Sequence, residues 1–365
     1  MDNADANAPA QSPLHHRSVV VGVVCFVLLA VVFVLFAANA PRSAASIDGP
    51  GYSTPPPIAK SAEVVYLGIE PIQVDSISLD DNTFQTSFYI WWRWHGKIDP
   101  CPTTDIVNSN SSTSHYITNY SFFNRTGVET PLPIGGGWLY QTAKVSVGVT
   151  DPFSISRYPL DDQVLAIRVE NNTYDSNELV YIPDTANMSK QSTFDVAGWS
   201  LEGTSIRGFL HQYGTNFGVP DKTGASTRYS ELTYDIDIVR PFSHFLVKLF
   251  VPMFVVLLAG LSSLLVKADD FDVRLAMAGT GLLTLIFLQQ GYAGDLPATA
   301  PVVLMDEIYA LAYAAVGITF LRAVYTTTRV HHARETAALF APTDRRLAAA
   351  IALAFLVGST IVVAL

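Results

Sequence analysis

The sequence predicts a membrane protein of mixed β and α class: an exported β-rich segment followed by a bundle of transmembrane helices, with one further apolar helix near the N-terminus. Three observations predict it. Five apolar runs are long enough to cross a bilayer, which takes roughly 20 residues. Between the first and second runs lie about 200 residues with no comparable apolar stretch. Those residues alternate apolar with polar side chains, the period of a half-buried strand.

Residues 1–17 form a cytoplasmic N-terminus and residues 18–40 the first span. Its flanks, Arg17 and Ala38-Asn39-Ala40, resemble a secretory signal with a small-residue cleavage site. The apolar core is longer than that of a usual signal, and Pro41 would follow the scissile bond, so the expectation is a transmembrane anchor or uncleaved signal. Either outcome exports the β-rich segment. Residues 41–61 are rich in Pro and Gly and read as a linker.

Residues 62–240 form the exported domain. Strand-like runs occur at Val64–Leu67, Ile72–Ile77, Thr83–Trp94, Gly137–Val149, Gln163–Glu170, Glu178–Tyr181, Trp199–Phe209 and Tyr229–Val239. Many short strands with turn signals between them predict an antiparallel sandwich or barrel. The Asn/Ser/Thr-rich stretch Asp99–Gly136 reads as an irregular insertion. From Pro41 to Arg240 there are 22 acidic and 13 basic residues, a surplus that disfavours nucleic acid and concentrates cations, and that equally suits a solvated surface.

The two cysteines, Cys25 within a span and Cys101 outside it, are placed too differently to pair, so the domain must be held by its core. Sequons at Asn110, Asn119, Asn124, Asn171 and Asn187 are what such a composition produces by chance. No metal cluster, phosphate loop or nucleophile-and-base pattern stands out, which argues against an exported enzyme and against a cofactor. His95, His115 and His211 are isolated in the sequence and read as surface or packing residues.

Residues 241–365 carry the remaining spans, Phe245–Val266, Val273–Gly291, Pro301–Tyr325 and Leu347–Leu365. Basic residues flank them at Arg17, Lys267, Arg274, Arg322, Arg329, Arg334, Arg345 and Arg346, whereas the Gly291–Pro301 loop has none. By the positive-inside rule the large domain, the Asp295 turn and the C-terminus lie outside. Within the third span, steps of four, three, four and three residues put Ala276, Thr280, Leu283, Phe287 and Gln290 on one narrow helix face, at about 100° per residue. That face runs from small and polar, through two large apolar groups, to an amide, with Asp272 below and Asp295 above. It reads as a pore lining.

The order of these features resembles the pentameric ligand-gated ion channels, the Cys-loop receptor superfamily. The carriers are the β-rich outer domain, Ile238-Val239-Arg240 entering a span with Pro252-Met253, the helix from Arg274 to Asp295-Leu296-Pro297, and Asp306 heading the next span. The hallmark loop reads Tyr158-Pro159-Leu160-Asp161-Asp162-Gln163. Absence of paired cysteines around that loop and a short connection between the last two spans resemble the prokaryotic branch.

This resemblance implies a β-sandwich and a four-helix transmembrane bundle in each subunit of a homopentamer, multi-pass in a bacterial cytoplasmic membrane and in contact with its lipid. It implies cation selectivity from a ring of Asp272 side chains, a hydrophobic gate at Leu283 with Phe287 one turn outward, and coupling through Arg240 to Asp161 and to Asp80 or Asp81. A ligand pocket would involve Tyr89, Glu170, Tyr213 and Tyr229, with Asn172 where an amine-binding relative has an aromatic. The stimulus would be a small-molecule agonist or protons. The alternative is a non-conducting membrane receptor or binding module using the same fold.

Overall fold

A computed structural model describes residues 58–110, 121–123, 131–186, 194–218, 227–333 and 336–364. The anchor at 18–40, the flanking segments 1–17 and 41–57, most of the insertion, and Asn119, Asn124 and Asn187 lie outside the described residues.

The outer domain is a sandwich of two sheets. One has seven strands in the order β4(Ser121–Phe123)-β6(Trp138–Thr150)-β2(Thr83–Trp94)-β1(Glu63–Ser78)-β8(Leu179–Pro183), with β5(Leu132–Gly135) beside β6 and β9(Asp195–Val196) beside β1. The other has four, β10(Ser200–Tyr213)-β11(Thr227–Val239)-β7(Asp162–Asn171)-β3(Thr104–Ile106). The pairing is antiparallel except that β8 and β9 run parallel to β1, a departure from the purely antiparallel expectation.

Alternation decides which face is inside. Phe84, Phe88, Ile90, Trp92 and Trp94 of β2 are buried, as are Leu165, Ile167 and Val169 of β7 and Leu232, Tyr234, Ile236 and Ile238 of β11. Each such side chain contributes about 1.5–3 kcal/mol by leaving water. The two runs expected at Val64–Leu67 and Ile72–Ile77 are one strand, because register shifts at Pro71/Gln73 and Val74/Ser76 absorb the break in alternation.

Four helices long and apolar enough to cross a membrane follow: α1(His244–Leu265), α2(Phe271–Ala293), α3(Leu304–Ala333) and α4(Ala341–Ala364). The apolar runs located all four, but α3 continues past Tyr325 and α4 starts before Leu347, because a helix does not stop where its lipid-length apolar stretch stops. α2 also begins earlier than expected. Its N-cap is Asp270, so Asp272 lies within the first turn, where a carboxylate complements the helix dipole.

The buried side of α2 is Arg274, Ala278, Gly281, Leu285 and Tyr292. A Cβ added at Gly281 would stand 3.5 Å from Val316 of α3 and 3.7 Å from the Gly260 Cα of α1, ordinary van der Waals contact, so the three helices pack closely at this level. Arg274, expected in a cytoplasmic loop, is instead fully buried in the bundle. Its charge is met there by Asp344, so Lys267 and the basic residues around the α3–α4 connection carry the orientation signal.

Candidate functional site

Three arrangements bear on function. The first is the outer face of α2. Asp272, Ala276, Thr280, Leu283, Phe287 and Gln290 are all exposed in the subunit, with Leu283 at 53% and Phe287 at 67%. The other helices cover the opposite face and leave this one bare. The Thr280 carbonyl accepts the Thr284 hydroxyl at 2.8 Å, so that hydroxyl turns back into the helix. At the far end, Gln289 and Tyr292 donate to Asp306 of α3, and Asp306 also accepts from the Val303 amide, fixing the top of α2 against the start of α3.

The second is the junction between sandwich and bundle. Arg240 directly follows β11 and forks onto Asp161, Nε to Oδ1 at 2.7 Å and Nη2 to Oδ2 at 3.2 Å. Both side chains are nearly removed from solvent, at 11% and 1% exposure. The guanidinium lies over the Trp199 ring at 4.2 Å and the Tyr158 ring at 4.8 Å, so its flat faces are covered by π-systems while its edge is paired. Gln163 donates to the same carboxylate at 2.9 Å. Asp80 lines an adjacent recess with Leu79, Trp199 and Asp295 without joining the ion pair, and Asp81 accepts from Ser78 within its own turn. Leu304 and Met305 amides donate to the carbonyls of Ser156 and Tyr158, at 2.9 and 3.2 Å, binding the hallmark loop to the head of α3.

The third is a recess of about 500 Å³ where β7, β10 and β11 end, lined by Asp105, Glu170, Asn172, Tyr213, Phe217 and Tyr229, among others. Rings of Tyr213, Phe217 and Tyr229 pack edge to face with centroids 5.1 to 6.3 Å apart. Glu170 and the two tyrosines are therefore brought together as expected. Tyr89 is not. It lies on the outward face of β2, in the other sheet, because Phe88 and Ile90 on either side point inward.

Beneath the recess, His211 Nδ1 lies 2.6 Å from Glu170 Oε1 and 3.3 Å from Glu231 Oε2, and Tyr213 donates to Glu170 Oε2 at 2.9 Å. The hydrogen bond to Glu170, helped by Glu231 against burial, pushes His211 up to about 9. Burial raises Glu170. Burial also pushes Glu231 upward, but the close approach of His211 and Glu170 outweighs that and holds it below the usual carboxylate range. The histidine that reads as isolated in sequence is thus part of a cluster. His95 by contrast packs edge-on against Trp138, 5.7 Å between centroids.

Phe217, Trp199 and Glu231 complete these arrangements and were not expected from the sequence. Trp199 opens the run leading into β10 and could be found only once that strand's start is set beside Arg240. Glu231 is separated from Glu170 in the chain by β8, β9 and β10 and becomes its neighbour through the β11–β7 register.

No protein-family model matches the chain. Among curated proteins it is similar to a proton-gated ion channel of Gloeobacter violaceus, 23% identical over 234 residues that make up 62% of this chain and 63% of the relative. It is similar to the gamma-aminobutyric acid receptor subunit pi of Mus musculus, 20% identical over 275 residues, 67% and 56% of the two chains. A glutamate-gated chloride channel of Drosophila melanogaster is 24% identical over 162 residues, 44% and 33%. The matches thus span less than two thirds of each relative's length. The sandwich followed by four apolar helices resembles the pentameric ligand-gated ion channels, and the relatives are named as ion channels and a receptor subunit. The chain is a multi-pass membrane protein whose relatives are ion channels and receptor subunits, not enzymes. One relative is named for chloride, so kinship alone does not fix the sign of the ion.

Proposed function

We propose that the chain is the subunit of a homopentameric, cation-selective channel in a bacterial cytoplasmic membrane, with residues 62–240 outside and residues 241–365 forming the pore. The observation that carries this reading is the bare face of α2. A helix whose exposed stripe includes Thr280 and Gln290 as well as Leu283 and Phe287 suits an axis that is wet at its ends and apolar at its waist. An apolar waist closes a pore by excluding water rather than by steric plugging. Asp272, exposed in the first turn, supplies a carboxylate ring that stabilises partly dehydrated cations.

Arg240 and Asp161 are the coupling pair, since the strand that ends the sandwich and the loop that touches α3 share one buried fork. The recess formed by Glu170, Tyr213 and Tyr229 suits a small cationic ligand, with Tyr89 of a neighbouring subunit as its opposite wall. Protons are the second candidate stimulus: one relative is named proton-gated, and burial raises the carboxyls of Asp151, Asp235 and Asp237 above their ordinary range. Reconstitution into planar bilayers, with current recorded against pH and against a panel of amines, tests the proposal. A pentameric preparation that never conducts would instead support a non-conducting receptor.

A further inference from the structure

We propose that Glu170, His211 and Glu231 form a binding site for a divalent transition-metal ion of the zinc type at the floor of the aromatic recess. The inference does not rest on conduction.

The three residues come from adjacent strands, β7, β10 and β11, and their ligand atoms all lie within 4.8 Å of one another. Both glutamates are buried, at 3% and 0% exposure, and face the same imidazole. Glu231 Oε1 accepts the Thr233 hydroxyl at 3.0 Å, while its buried Oε2 has no partner in hydrogen-bond geometry and stands 3.3 Å from His211 Nδ1. A buried carboxylate oxygen left without a hydrogen-bond donor is costly. A dication between these groups would satisfy that oxygen and balance the two negative charges together.

Donor type selects the class of ion. Calcium and magnesium require six or more oxygen ligands, which three side chains including an imidazole do not provide. One nitrogen and two carboxylates match zinc and its neighbours. A tetrahedral ion with bonds of about 2.0–2.2 Å holds its ligand atoms about 3.3–3.6 Å apart. His211 and Glu231 already stand at 3.3 Å, Glu170 needs to withdraw from His211 by about 1 Å or less from its 2.6 Å contact, and the two carboxylate oxygens lie within 4.8 Å of each other. Tyr213, hydrogen-bonded to the outer oxygen of Glu170, would orient that ligand. Three protein ligands leave a fourth position, open on the recess side to water or to a donor atom of a bound molecule.

The test uses tag-free full-length protein in detergent, stripped with a chelator and titrated with zinc chloride by calorimetry. One ion per subunit is expected, with His211→Ala and Glu231→Gln each weakening binding by at least about tenfold. Wild-type protein that binds no zinc, or folded variants that bind it equally well, would overturn the site and leave His211 as a proton-bearing bridge between two glutamates. Should the alanine variant fail to assemble, the isosteric Glu231→Gln decides. X-ray absorption on the zinc-loaded wild type needs no variant at all: a shell containing imidazole nitrogen is expected, and a shell of oxygen alone would refute the assignment.

Discussion

Arg274 of α2 and Asp344 of α4, seventy residues apart in sequence, meet at 2.8 Å inside the helical bundle with 0% and 2% of their side chains exposed. Arg322 of α3 closes on the other oxygen of the same carboxylate, also at 2.8 Å. One aspartate thereby ties three helices, and two cations depend on it. Removing a single partner from a buried ion pair costs about 3–5 kcal/mol, because the charge left behind is uncompensated. Asp344→Ala should therefore lower the thermal stability of the detergent-solubilised assembly markedly. Arg322→Ala should do so less, since Arg322 is 20% exposed and its loss leaves Asp344 paired. Equal melting temperatures for the two variants would contradict this ranking.

Arg240→Ala should leave the oligomer intact and shift activation to higher stimulus by about 5- to 150-fold, the range of ordinary coupling energies. Size-exclusion chromatography and dose–response currents measure the two effects separately. An oligomer of normal size with unshifted activation would remove Arg240 from the coupling path.

Leu283→Ser should raise basal current. Five apolar side chains lose about 1.5–3 kcal/mol each of their preference for a dry waist, far more than the roughly 1.4 kcal/mol that corresponds to a tenfold change. Phe287→Ala should act in the same direction but less, because it lies toward the outer half of the helix. Leakage through Phe287→Ala with a tight Leu283→Ser channel would move the constriction one turn outward.

Asp272→Lys reverses the charge in the first turn of α2 and should reduce or invert cation preference. The reversal potential under a salt gradient reads this directly. A conducting lysine variant with unchanged potential would assign selectivity to other carboxylates.

Tyr213→Phe deletes the hydroxyl that holds Glu170 while keeping the ring beside Phe217 and Tyr229. If the recess takes a cationic ligand, apparent affinity should fall by about 10- to 150-fold, in keeping with the roughly 1.5–3 kcal/mol of a hydrogen bond to a charged group. An unchanged dose–response curve would separate this tyrosine from recognition.

Local periodicity made α2 and its exposed face legible, because steps of four and three residues encode a direction on a helix without reference to anything else in the fold. The inward faces of β2, β7 and β11 were legible for the same reason. Glu231 and His211 were not: 61 and 41 residues separate them from Glu170, and only the β10–β11–β7 register brings them together. Arg274 misled because a basic residue near a span end normally marks a loop, and its partner Asp344 lies two helices further on. Tyr89 shows the reverse limit, since an aromatic in a strand gives no information about which sheet of the sandwich that strand joins, and β2 lies in the sheet that does not carry Glu170, Tyr213 and Tyr229.

The hallmark loop is fastened to α3 through the amides of Leu304 and Met305, and an amide is the one donor nearly every amino acid carries. A joint made of main chain is indifferent to side-chain identity, so substitutions on either side can accumulate while the fastening persists. Proline is the exception, as it has no N–H to give. At Leu304, the first residue of its helix, proline would be tolerated by the helix itself. Leu304→Pro thus acts as a half-released clutch: it removes the fastening at Ser156, leaves Met305 holding Tyr158, and spares the sandwich and the Arg240 fork.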